Sequence, residues 1–265
     1  KAKPHRFKLT ITSEGSAYQG WQVQPRGATI QGAIEAALQV RTRKKSRLIA
    51  SGRTDAGVHA LGQVAHFDCP TDLGAQALQR GLNSLLPPDI VIMTCDAVPD
   101  TFHARFDAQR KHYRYRILNR PLPIAIGRQY VWQVPARLDL GAMGAATALL
   151  VGRHDFSSFQ STGSPRAHAV RQVTRAEFVT QPEEIVHFEI QAGGFLKQMV
   201  RNIVGTLVQV GLGRMAAEDM PRILAAKDRR QAGPTAPASG LFLVRVFYNA
   251  ETEASPPVQS SLDTR

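Results

Sequence analysis

Asp55 lies in the stretch ASGRTDAGVHALGQVAHFD, residues 50–68, two positions after Arg53 and between Gly52 and Gly57. A cation within a few ångströms keeps an aspartate ionised and lowers its pKa by about 1 to 3 units, which suits a nucleophile and not an acid. If IASGRT is a strand running into a turn, Arg53 and Asp55 fall on the same side of it. The flanking glycines would let an RNA backbone or a base come close. The same residues also suit a plain turn, with Asp55 as its cap and Arg53 as a surface partner, because Asp and Gly favour turns for backbone reasons of their own.

Two further stretches carry candidate chemistry. In KHYRYR, Tyr113 and Tyr115 would share one face of a strand while His112, Arg114 and Arg116 take the other. An aromatic ring beside Arg and Lys can stack an unpaired base, although strand aromatics also serve as core. In FLKQMVRNIVG, helical spacing makes a buried stripe of Leu196, Met199, Val200, Ile203 and Leu207. Lys197 and Arg201, at i and i+4, would share the opposite face; it could meet phosphates, give Asp55 a second cation, or simply be solvated.

Other chemistries lack their residues. The eight histidines form no HxxxH or HxH pair, and no other motif offers matching Cys or carboxylate ligands, so no metal is expected. There is no GxxxxGKS/T, no GxGxxG between strand and helix and no GxSxG, which removes the support for most nucleotide, dinucleotide and serine-hydrolase readings.

These residues sit in a chain of 265 with 33 Lys and Arg against 21 Asp and Glu, a net charge of +12. Together with a pI near 10.3, that points to a polyanionic partner, of which nucleic acid is the usual one. The basic clusters RTRKKSR (41–47), RFDAQRKHYRYR (105–116) and KDRR (227–230) adjoin structured sequence, so a basic surface of the fold is expected, although any one cluster could be a solvated face. No apolar run reaches the roughly 20 residues needed to span a bilayer. Cys69 and Cys95 lie in apolar runs outside any CxxC pattern, which suits a reducing cytoplasm.

The elements that would position the candidates follow from periodicity. FKLTITSE alternates as a half-buried strand, SEGSAYQGWQVQPRG reads as a loop, and TIQGAIEAALQVRT reads as a helix with Thr29 as N-cap. Strand-like SRLIASGRT and GQVAHFDC, helical GAQALQRGLNSLL and strand-like DIVIMTCDAV complete the order strand, helix, strand, strand, helix, strand, that of a ferredoxin-like split βαβ unit. A second unit of similar order runs from ARFDAQRKHYRYRIL to GLFLVRVFYN. The expected division is residues 1–104, residues 105–249 and a disordered tail at 250–265.

SGRTDAGVHALGQVAHF resembles the signature of the TruA family of tRNA pseudouridine synthases. GSAYQGWQ (15–22), TIQGAIEAAL, FHARFDAQRKHYRYRI, HDFSSF (154–159), FLKQMVRNIVG and AKDRRQAGPTAPASGLFLVRVFY are similar to further family blocks and follow the family's order from Phe7 to Tyr248. The resemblance implies an α/β fold of two ferredoxin-like domains, with joined mixed antiparallel sheets flanked by helices and a cleft between the domains. It also implies isomerisation of uridine to pseudouridine in the anticodon stem-loop of tRNA, at positions 38, 39 and 40, by a homodimer without metal or cofactor. By matching position Asp55 would be the nucleophile, attacking C6 of the uracil or C1′ of the ribose. Arg53 would assist base flipping, Tyr113 would pack on the target base, Arg201 would ion-pair with Asp55, and Leu241 would press on the uracil. Arg105, Lys111 and the RTRKKSR cluster would hold flanking phosphates. One departure stands out: relatives commonly carry Tyr-Asp where this chain has Ser13 and Glu14.

A rival from another class is a non-catalytic basic RNA-binding module of ferredoxin-like fold. Asp55 separates the two, because binding a polyanion gains nothing from a carboxylate in the binding surface. An aspartyl phosphotransferase would need further carboxylates for Mg²⁺, and no such cluster accompanies Asp55.

Overall fold

The computed structural model describes residues 5–161 and 168–249, and the tail expected from residue 250 lies outside them. The described chain divides into two compact units, residues 5–109 with 243–249, and residues 110–242.

The first unit contains β1 (His5–Ser13), α1 (Ile30–Thr42), β2 (Ile49–Ala50), β3 (His59–Cys69), α2 (Ala75–Asn83) and β4 (Ile90–Val98), the order expected from the sequence pattern. Alternation in β1 buries Phe7, Leu9 and Ile11 and turns Arg6, Lys8 and Thr10 to the other face. The strand lies antiparallel between β3 and β4, with Leu9 opposite both Ala65 and Cys95. Helix α1 starts where the Thr29 hydroxyl accepts the Gly32 amide at 3.2 Å and stops at Arg43, whose φ of 56° is left-handed. Its Ile30, Ile34 and Leu38 join Leu78 and Leu82 of α2 over the sheet. Each such side chain contributes about 2 kcal/mol by leaving water.

Strand β2 is much shorter than SRLIASGRT suggests. The Ser51 amide still reaches Val64 O at 2.8 Å, but beyond it the Gln63 side chain takes over from the ladder. That side chain accepts the Ser51 hydroxyl at 2.8 Å and donates to Gly52 O at 2.9 Å. The chain therefore peels off the sheet at Gly52 and enters the segment that carries Asp55.

The second unit holds β5 (Ala108–Leu118), β6 (Trp132–Gln133), α3 (Leu140–Ala148), β7 (Gly152–Asp155), β8 (Val170–Thr180), β9 (Ile185–Ala192), α4 (Met199–Gly211) and α5 (Met220–Ala226); β10 (Leu241–Tyr248) follows. Its strands run in the order β5-β9-β8-β7, and β6 pairs in parallel with β5. From Leu243 onward β10 belongs to the first unit, where it neighbours β3 and the Tyr248 hydroxyl donates to Ala104 O at 2.6 Å. Both units are thus sheets flanked by helices.

Helix α4 corrects one expectation. It begins at Met199 and not at Phe195, because Gln198 takes a left-handed φ of 58°. Lys197 is exposed ahead of the helix and Leu196 is only half-buried, so Lys197 and Arg201 do not share a helical face.

Candidate active site

Asp55 stands half-exposed on the segment after β2, with Arg53 exposed beside it. The Val58 amide donates to Asp55 O at 3.2 Å, closing the turn. A strap formed by residues 14–21 runs against this turn: the Trp21 amide donates to Thr54 O at 3.1 Å, and the Gly57 amide to Tyr18 O at 3.4 Å. Contact at Gly20 is so close that a Cβ there would lie 2.5 Å from Thr54 O, and its φ of +86° is one that side chains disfavour.

Buried polar groups hold the strap. The Tyr18 hydroxyl donates to Asp89 Oδ1 at 2.6 Å, and burial together with that carboxylate pushes the phenol up from its usual range. The Glu14 amide donates to Asp89 O at 2.9 Å, and the Gly15 amide to His59 Nδ1 at 2.9 Å. The Glu14 carboxylate accepts the Ser16 amide and lies 3.4 Å from His59 Nδ1. The departure at Ser13 and Glu14 therefore still gives a loop tied at both ends. Sequence reasoning missed Tyr18, His59 and Asp89: Tyr18 lay in the GSAYQGWQ block and His59 in SGRTDAGVHALGQVAHF, while Asp89 lay in neither.

In the second unit Tyr113 is buried from β5, its ring edge-on to Phe195 at 5.0 Å. Tyr115, on the same face, donates its hydroxyl to Pro237 O at 2.7 Å. Burial pushes this phenol up, and the Arg201 charge acts in the opposite direction. Arg201 Nε donates to Ala236 O at 2.8 Å, while the Ala236 amide donates to Arg201 O at 3.0 Å. Leu241 follows the turn Ala238–Gly240 and is buried. Lys111 is half-exposed on β5 opposite Ala192. Within this unit, Arg201 and Tyr115 are thus tied to the neighbouring residues Ala236 and Pro237, with Tyr113 on the same face of β5 as Tyr115 and Leu241 just past the turn that follows Pro237. Asp55, Arg53 and Arg105 belong to the first unit.

The loop beside Arg201 is fixed by side chains. Asn202, fully buried, donates to Phe159 O at 2.8 Å and accepts from Thr235 Oγ1 at 2.6 Å and from Arg229 at 3.1 Å. Gly205 lies so close under the loop that a Cβ would meet Pro234 O at 1.6 Å. The KDRR cluster is consequently less of a free basic surface than its composition suggests: Arg229 serves Asn202, Lys227 lies 3.3 Å from Asp155, and Arg230 lies 2.8 Å from Asp228. Arg41, Arg43, Lys44, Lys45 and Arg47 are all exposed, as are Lys227 and Arg230 themselves.

On the other face of β5, His112 and Arg114 converge on the buried Glu189 of β9, with Arg114 Nε at 2.6 Å. Burial alone would raise this carboxyl, but the hydrogen bonds and charges of His112 and Arg114 outweigh it and hold the group below its usual range. Among the described residues no group of three or more His, Cys, Asp or Glu could hold a metal ion, and no helix is long and apolar enough to cross a membrane.

The model of a protein family described as tRNA pseudouridine synthase matches residues 11–107 and 146–249, well over half of the chain. The chain belongs to this family. It is 44% identical over 252 residues to tRNA pseudouridine synthase A of Myxococcus xanthus, covering 95% of each chain. It is 47% identical over 244 residues to tRNA pseudouridine synthase A of Moorella thermoacetica, covering 91% of this chain and 99% of that one. Membership makes the chain an enzyme, an isomerase that converts uridine in tRNA to pseudouridine. Both the Asp55 turn and its strap fall inside the matched residues, as do α4 and the Asn202 loop.

Proposed function

We propose that Asp55 is the nucleophile of this isomerisation and that the target uridines lie in the anticodon stem-loop of tRNA, at positions 38, 39 and 40. The observation that carries the assignment is a half-exposed carboxylate on a turn braced by a buried strap, next to an exposed arginine, in a strongly basic chain. A carboxylate that adds nothing to the binding of a polyanion needs another reason to stand on so firmly held a turn. Covalent attack supplies it.

A uridine paired in a stem is out of reach, so it must be flipped out at a cost of a few kcal/mol, with Arg53 assisting or filling the gap. In one course the Asp55 carboxylate bonds to C6 of the uracil, the N1–C1′ bond breaks, the base turns, C5 bonds to C1′, and loss of the C5 proton expels Asp55 from C6. In the other, Asp55 bonds to C1′ of the ribose as N1 leaves it, the base turns, C5 bonds to C1′ as the Asp55 bond breaks, and the C5 proton then leaves. In both, N1 gains a proton and the free carboxylate returns. Tyr113 packs on the base, Arg201 ion-pairs with Asp55, and Leu241 presses on the uracil. Lys111, Arg105 and the exposed cluster at 41–47 hold phosphates. We assign the enzyme to a homodimer, each tRNA touching both subunits, and to the cytoplasm, which suits its two free, buried cysteines.

Tritium release from tRNA transcripts labelled at C5 of uridine tests the chemistry, with gel shift as the measure of binding. Asp55→Asn is expected to lower release by roughly 10⁴-fold or more while tRNA still binds. Binding without release by the intact chain on anticodon-stem uridines would return it to the basic RNA-binding module.

A further inference from the structure

Phe106 has 74% of its surface exposed, although it stands in one of the most firmly tied segments of the first unit. The Phe102 amide donates to Pro99 O at 3.0 Å, and Arg6 donates to Phe102 O at 2.9 Å. The His103 amide donates to Asp107 Oδ2 at 2.7 Å, and the Asp107 amide returns to His103 O at 3.0 Å. Ala104 is held on both sides, its amide donating to His66 Nδ1 at 3.0 Å and its carbonyl accepting from Tyr248. The amides of Arg105 and Phe106 both point at His103 Nδ1, each at 3.2 Å. The ring is therefore displayed by a fixed backbone.

Beneath it is a ladder of rings. Phe106 lies on His103 with centroids 4.2 Å apart and planes at 31°, and His103 packs against the buried His66 at 4.8 Å. One face of Phe106 is thus backed by aromatic contact, and most of the residue still meets water. The Arg105 guanidinium lies over the ring, 5.7 Å from its centroid. A flat apolar surface with a cation this close matches the two halves of a nucleotide, a base for the ring and a phosphate for the guanidinium.

We propose that Phe106 is a stacking shelf for an unpaired base of the tRNA substrate, with Arg105 taking the phosphate beside it. The proposal rests on tRNA being the substrate and is independent of which uridine is converted or of the role of Asp55. The cation held against the ring, in a chain of net charge +12, favours an anionic nucleic acid as the occupant.

The test uses the full-length protein and an unmodified, end-labelled tRNA transcript, with Kd read by gel shift for Phe106→Ala, Phe106→Leu and Phe106→Trp. Because stacking is sequence-tolerant and worth roughly five- to a hundredfold in affinity, Phe106→Ala is expected to raise Kd about tenfold. Phe106→Trp should restore binding and Phe106→Leu should resemble alanine, while thermal melting stays at the level of the intact chain in all three. Unchanged Kd in Phe106→Ala would overturn the shelf, and so would full binding by Phe106→Leu. A loss of binding in Phe106→Ala accompanied by a drop in sedimenting mass would place a protein copy, and not RNA, on the ring. Tritium release by the intact chain reports separately on the Asp55 chemistry, so either proposal can fail alone.

Discussion

The two units hold their candidate residues by different means. Around Asp55 the chain is positioned by backbone: Trp21 and Gly57 amides meet carbonyls of the facing segment, and Gly20 lets the two main chains touch. Around Arg201 the chain is positioned by side chains, with Asn202, Thr235 and Arg229 sharing one buried cluster. The first arrangement is sensitive to added atoms and the second to removed ones. A backbone clamp makes its contacts without using the side chains of the turn it holds. A side-chain clamp can fix a loop that carries its own polar backbone into the interior, because each buried group finds a partner.

The comparison breaks most visibly at Gly20. Gly20→Ala places a Cβ against Thr54 O and is expected to shift the Asp55 turn, lowering kcat by about 10²-fold, since small displacements of a reacting group carry losses of that order. Single-turnover tritium release would measure it. A variant with normal kcat would show that the strap is not what positions Asp55.

Asn202→Ala should act on the fold first. It strips Arg229 and Thr235 of their acceptor and leaves Phe159 O without its donor, at about 2–4 kcal/mol, readable as a lower urea midpoint. Asn202→Asp keeps the acceptors and should lose less. Equal stability of the alanine variant and the intact chain would remove the contrast between the units.

Acid sharpens the contrast more gently. Burial, followed by the Arg6 charge, pushes His66 from the ordinary 6.5 down to about 4. The unfolded chain therefore binds a proton first, and His66 makes stability fall as pH drops from about 6.5 towards 4. Glu189 in the second unit is depressed below its ordinary 4.5, so its contribution is complete above that value and is lost only as pH falls further. Melting temperatures across pH 7 to 3 should show His66→Asn flattening the upper part of the slope and Glu189→Gln the lower part. Reversed assignments, or parallel curves for all three proteins, would contradict this reading.

How much of this was legible in sequence depends on how local its cause is. Thr29 as a cap and the β1 alternation follow from neighbours a few residues apart, and the structure matches them. The early end of β2 depends on the Gln63 side chain, and the late start of α4 on a left-handed Gln198, neither of which apolar spacing encodes. β6 and β7 are too short to show a period. The inward and outward faces of β5 were readable from KHYRYR, since strand geometry alone decides them. Glu14 had no readable role because its partners, Ser16 apart, come from strands and loops remote in sequence. Asp55 itself looks like a turn residue until the surrounding blocks are taken together.

The return of β10 to the first unit has a consequence for how the protein is made. Synthesis runs from the N-terminus, so β1, β3 and β4 leave the ribosome early, while the strand that neighbours β3 arrives only after Leu243. Until then the β3 edge of the nascent sheet is paired only with the short β2, and Ala104 O waits for the hydroxyl of Tyr248. The entire 110–242 unit is translated in that interval. The half of the molecule that emerges first is therefore the half that is finished last.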